Sequence, residues 1–164
     1  MRTSGVLMPI SSLPSPYGIG TMGKDAKKFV DFLEKGGQKY WQILPICPTS
    51  YGDSPYQSFS SFAGNPYFID LDYLCKDKLL TQKECESYDW GKSAKKVDYG
   101  IMYINRYDLL KKAFARFKKN IPDDYSTFCK KEAEWLDEYT LFMALKDAND
   151  GHAWSQWDEQ LKVR

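Results

Sequence analysis

A chain of 164 residues is long enough for one compact domain, which at this size buries roughly 70% of the surface its unfolded form exposes. Lys and Arg number 23 against 22 Asp and Glu, a formal charge of +1 without long runs of either sign, so charge gives no reason to expect nucleic acid or an anionic membrane as partner. No segment approaches the ~20 apolar residues of a spanning helix, and the apolar stretch Gly5 to Ile10, broken by Pro9, is too short for a signal-peptide core. The expected location is therefore the cytoplasm, where Cys47, Cys75, Cys85 and Cys129, with no Cys-x-x-Cys spacing among them, read as reduced thiols and not as a metal site.

In chain order, Ser4 to Met8 is a short apolar run stopped by Pro9 and a Ser/Pro/Gly stretch through Gly20, which predicts a buried strand and a long following loop. Ala26, Phe29, Val30 and Leu33 then fall at i, i+3, i+4 and i+7, an amphipathic helix with Gly23 as N-cap and Gly36 as the residue after its C-cap. Tyr40 to Leu44, ended by Pro45, predicts a second buried strand, and strand, helix, strand makes a βαβ unit with parallel strands. The segment from Pro45 to Pro66 is too long and irregular for a connector, and loops of that length usually carry function. Tyr67 to Tyr73 fits either a strand or a short apron beneath that loop. Tyr103, Tyr107, Leu110, Phe114 and Phe117 lie on one helical face, Pro122 interrupts, and Trp135, Tyr139, Phe142 and Met143 mark another helix that Gly151 ends.

Two strands buried on both faces do not complete a parallel sheet. The expected fold class is therefore α/β, the first part of a (β/α)8 TIM barrel of typically about 250 residues, with about two barrel strands in residues 1–74 and a mainly helical inserted region in 75–164. In a barrel the loops after Met8 and Leu44 face one site at the carboxyl ends of the strands. Aromatic residues make up 16% of the chain, either a Trp- and Tyr-rich core or rings lining a cleft. In the loop 45–67, Tyr51-Gly52-Asp53-Ser54-Pro55-Tyr56-Gln57-Ser58-Phe59-Ser60 and Phe62-Ala63-Gly64-Asn65-Pro66 interleave rings with short hydroxyl and amide groups. That mixture suits a sugar, which packs a C–H face on a ring and presents hydroxyls that need partners once desolvated.

At these residues the chain resembles the 4-α-glucanotransferases known as amylomaltases or disproportionating enzymes. The resemblance runs through RTSGVLMPISSLPSPYGIGTMG, through KYWQILPICPTSYGDSPYQSFSSFAGNPYFIDLDYL and, more loosely, through VDYG and the helix from Arg106 to Phe117. It implies retaining transfer of α-1,4-glucan segments between maltooligosaccharides, in which one carboxylate attacks the anomeric carbon and another carboxyl group protonates the leaving oxygen, the two roughly 5 to 5.5 Å apart. Neither step requires a metal or a redox cofactor. The family's nucleophile, acid/base and supporting Asp come from later barrel strands, and no stretch of this sequence matches those motifs. The expectation is an amino-terminal segment that supplies substrate binding but no catalytic acid, and whose partner is the carboxy-terminal part of the same barrel.

The resemblance also places Tyr56 against the sugar next to the cleaved bond, gives Ser54 a hydrogen bond to a glucan hydroxyl, and assigns Tyr51 and Tyr99 to a second glucan site away from the catalytic centre. Gln57, Ser60 and Asn65 are expected to hold the loop through backbone groups, and Asp53 to cap the turn with its side chain. Trp41 is expected in the barrel core, and His152, the single histidine, in a structural role. The rival reading is a stand-alone, non-enzymatic glucan-binding domain.

Overall fold

The computed structural model describes residues 2–50 and 52–162, which form two compact units, 1–121 and 122–164. In the first, β1 (Gly5–Leu7) and β2 (Tyr40–Gln42) pair in parallel, with Val6 opposite Trp41, and α1 (Lys24–Lys35) forms the crossover. This is the βαβ unit expected from the apolar runs, though each strand is shorter than its run. Phe29 of α1 meets Trp41 edge-on at 5.0 Å, and the Trp41 indole donates to the Met8 carbonyl at 2.8 Å. Ile10, Leu13 and Ala26 complete this core.

Within this chain one face of the two-stranded sheet is open, as expected of an incomplete parallel sheet. Leu7 is 54% and Tyr40 64% exposed, because α1 covers one face of the two-stranded sheet while alternate residues point away from it. At the helix end, Gly36 is the C-cap itself at φ −80°, and Gly37, at φ 67°, takes the left-handed position after it.

The stretch that fitted either strand or apron is neither. A 3-10 turn at Pro66–Phe68 leads into α2 (Leu71–Lys76), because Asn65 Oδ1 accepts the Tyr67 N–H at 2.9 Å and Asp70 Oδ1 the Tyr73 N–H at 3.1 Å. Both are side-chain caps that start helical turns. The other Asp70 oxygen accepts the Thr21 hydroxyl at 2.5 Å, and a Cβ at Gly23 would lie 1.8 Å from it. Asp70 thus clamps the loop after β1, the start of α1 and the start of α2, which only glycine at position 23 allows.

Next, α3 (Gln82–Glu86) opens on a capping box in which Thr81 and Glu84 exchange bonds. The long α4 (Tyr99–Phe117), capped by Asp98, buries Met102, Arg106, Leu109 and Ala113. Leu109 and Ala113 join Leu71, Leu80 and Cys85 in one cluster, and Met102 joins Ile19 and Tyr67 in another. Arg116 of α4 donates to Glu84 of α3 at 2.5 and 2.8 Å.

In the second unit, α5 (Asp124–Lys131), α6 (Ala133–Ala148) and α7 (Glu159–Lys162) follow Pro122. Gly151, at φ 75°, follows α6 as expected, and Lys146 Nζ donates to its carbonyl at 2.5 Å. The Trp157 indole donates to the His152 carbonyl at 3.1 Å and its ring packs on Phe142 at 5.7 Å, so His152 serves a turn. Among the described residues no helix is long and apolar enough to cross a membrane.

Two outcomes are expected from this packing. Gly23→Ala should destabilise by about 1–3 kcal/mol in urea titration, since its methyl must displace the Asp70 carboxylate. Arg116, and then the Thr81 groups, hold the Glu84 carboxyl down at about 2, against an ordinary 4.5. A depressed carboxylate stabilises above its unfolded pKa and loses that contribution as pH falls. Glu84→Gln should therefore lower the melting temperature at pH 6, with the gap to wild type closing as pH falls from about 4.5 toward about 2.

Candidate substrate-binding site

The loop after β2 is built from nested turns. Ser50 N–H donates to the Gln57 carbonyl, Asp53 N–H to Ser50 and Gln57 N–H to Ser54, each at 3.1 Å. Gly52 and Asp53 both take positive φ, 91° and 57°, which glycine adopts freely and Asp tolerates better than most residues. Ser54 Oγ accepts the Tyr56 N–H at 3.3 Å, so Ser54 supplies a side-chain acceptor within the turn that had been assigned to Asp53. Further on, Ser60 Oγ accepts the N–H groups of Phe62 and Ala63 at 3.1 Å, and the Asn65 N–H donates to the Ile46 carbonyl at 2.8 Å. Ser60 and Asn65 therefore hold the loop with their side chains as expected, whereas Gln57 does so through its main chain.

These turns carry the Tyr56 ring outward, 72% exposed, with Ser54 half-buried beside it. The Ser54 hydroxyl accepts from the backbone and keeps its own proton for donation. Tyr51 lies outside the described residues.

Beneath the turns is a cavity of about 140 Å³ at the carboxyl ends of both strands. Ile10 and Ser11 enter from the loop after β1, Leu44 from the end of β2, Asp53 and Pro55 from the turns, and Tyr67 and Tyr99 from the helical side. Ser54 and Tyr56 are not among its lining residues, although their neighbours Asp53 and Pro55 are. The structure thus joins Tyr99 to the cavity and sets Ser54 and Tyr56 on the turn outside it.

Tyr67, 4% exposed, packs against Tyr99 with ring centroids 6.3 Å apart and against Tyr107 at 5.7 Å. Burial raises the pKa of both cavity phenols, and the Asp53 carboxylate adds to the shift in each. Both hydroxyls stay protonated at neutral pH and can donate. Burial also raises the Asp53 carboxyl above the ordinary Asp range. The walls therefore combine apolar rings with two phenols, a carboxyl group and the Ser11 and Thr49 hydroxyls, a set suited to a ligand with many hydroxyls. Among the described residues no group of three or more His, Cys, Asp or Glu side chains is placed to hold a metal ion.

Sequence reasoning missed Tyr67 and Asp53 as cavity residues. The signal for Tyr67 was its neighbour: Asn65 before Pro66 marks a capped 3-10 turn, which points the Tyr67 ring inward. For Asp53, Gly52-Asp53 in a turn hinted at positive φ but not at which side the carboxylate would face.

Comparison with known proteins is consistent throughout. Residues 8–164 match the family described as 4-alpha-glucanotransferase. The 4-alpha-glucanotransferase of Clostridium butyricum is 50% identical over 157 residues, covering 96% of this chain and 32% of its own length, and that of Thermus thermophilus is 46% identical, covering 99% and 32%. The amylomaltase from Streptococcus agalactiae in complex with acarbose superimposes with a TM-score of 0.94 at 41% identity, covering 100% of this chain and 33% of that one. The chain spans about a third of the length of the curated relatives it matches. From a match that runs nearly end to end in sequence and in backbone, the chain belongs to the 4-alpha-glucanotransferase family.

Proposed function

We propose that this chain is the substrate-loop portion of an enzyme that transfers α-1,4-glucan segments between maltooligosaccharides. The observation that carries this reading is the 72% exposed Tyr56 ring, on a turn beside a hydroxyl-rich cavity at the carboxyl ends of the strands, in a chain of this family. A backbone match to an amylomaltase in complex with acarbose supports a glucan ligand.

In this reading β1 and β2 are the first strands of a (β/α)8 barrel, residues 1–74 contribute to its sheet and substrate face, and residues 75–164 form the helical insert. Tyr56 packs on the C–H face of the glucose unit next to the cleaved bond, and Ser54 donates to one of the glucan hydroxyls. Tyr51 and Tyr99 contact glucan at a second place, away from the catalytic centre.

The chemistry is a retaining double displacement whose carboxylate nucleophile and acid/base come from sequence beyond this chain's own motifs. The role of this segment is then positioning: a sugar held against Tyr56 presents its anomeric carbon at fixed depth and angle, which removes much of the entropic part of the barrier. A sugar hydroxyl replaces water in resolving the covalent intermediate, and no cofactor takes part. We place the protein in the cytoplasm, in line with the absence of a spanning helix among the described residues.

A polypeptide joining this chain to the remaining two thirds of its relatives' length is expected to disproportionate maltotriose, with glucose release as the readout; no release would reject the transferase reading. In that enzyme Tyr56→Ala should lower kcat/KM by about 10- to 100-fold through the loss of ring packing worth about 1–3 kcal/mol. An unchanged value would remove Tyr56 from the site.

A further inference from the structure

We propose that Cys75 and Cys85 form a reversible redox pair, which a peroxide-class oxidant closes into a disulfide stapling α2 to α3. Their sulfur atoms lie 3.6 Å apart across the two short helices. Closing a disulfide requires an approach of about 1.5 Å, to the ~2.05 Å of an S–S bond. The other cysteines are placed differently: Cys47 Sγ faces the Ser61 carbonyl at 3.6 Å, and Cys129 belongs to the unit 122–164.

The surroundings favour the bridge. α2 and α3 are already joined through Tyr17, whose hydroxyl donates to Asp72 at 2.8 Å and accepts from Gln82 at 2.9 Å. Cys75 occupies the last turn of α2, which ends at Lys76 and is followed by the left-handed Lys78 at φ 60°. Cys85 is fully buried among Leu71, Leu80 and Leu109, whereas Cys75 is only partly covered.

That asymmetry assigns the order of events. Burial first, and the Cys75 sulfur next, push the Cys85 thiol up to about 12, so it does not meet oxidant as a thiolate at neutral pH. Cys75 takes the first step: its sulfur attacks hydrogen peroxide, the O–O bond breaks, and a sulfenic acid and one water result. Cys85 sulfur then attacks the sulfenic sulfur, the S–O bond breaks, and the departing hydroxide leaves as water with the Cys85 proton. Two thiols are oxidised and one peroxide is reduced to two waters. The bridge fixes the end of α2, whose start holds Thr21 through Asp70, so oxidation tightens the clamp beneath the loop after β1.

The test is native-state oxidation of the full chain with hydrogen peroxide, alkylation of the remaining thiols and peptide mass mapping. The expected result is loss of two of the four thiols, a cross-linked peptide joining Cys75 to Cys85, and recovery of all four thiols with dithiothreitol. Cys47→Ser and Cys129→Ser should leave that peptide unchanged. Three results would each overturn the proposal: Cys75 and Cys85 remaining alkylatable while another cysteine is oxidised, Cys75 accumulating as sulfinic acid, or a bridge joining two chains.

Discussion

The buried Arg106 guanidinium is the contact through which the helical part of the first unit fixes the loop after β2. It has no exposed surface, and its Nη2 donates to the Tyr67 carbonyl at 3.0 Å and to the Ile69 carbonyl. Those carbonyls belong to the 3-10 turn that ends the loop and to its C-cap, so α4 holds that turn in place. A charge in that position is costly. Burial lowers its pKa to about 10, while the Asp70 carboxylate and the Trp90 ring face, 5.8 Å away, work in the opposite sense. Asp70 in turn clamps Thr21 and the start of α2. One cation and one anion thus fix the two loops that meet over the strand ends, and the cavity between them follows from that.

The polar backbone groups of a long surface loop must be satisfied before its side chains are free to meet a ligand. Here Ser54, Ser60 and Asn65 do so locally, within three residues of their own positions. The loop can therefore present an exposed ring at Tyr56 without a core beneath every residue. Tyr67 and Tyr99 act the other way: the Tyr67 ring is buried, the Tyr99 ring partly so, and both line the cavity, with burial raising the pKa of each phenol further.

The βαβ unit was legible in the sequence because it rests on local pattern: two apolar runs stopped by prolines and one helical stripe with glycine at each end. The helices from Tyr99 and Ala133 were legible for the same reason. What escaped depends on contacts distant in sequence. Residues 67–73 looked strand-like until Asn65 and Asp70 acted as caps. Ser54 and Tyr56 were singled out only through the resemblance of the loop, whereas Arg106 read only as one residue of a helix. Its burial depends on carbonyls that lie 37 and 39 positions earlier in the chain.

The central claim, that the turn bearing Ser54 and Tyr56 forms one wall of a glucan cleft, is tested most directly by a crystal structure of the polypeptide with bound maltooligosaccharide. The account predicts a glucose ring within about 4 Å of the Tyr56 ring, its hydroxyl in hydrogen-bond reach of Ser54 Oγ. A glucan seated elsewhere on the protein, with Tyr56 still facing solvent, would contradict it.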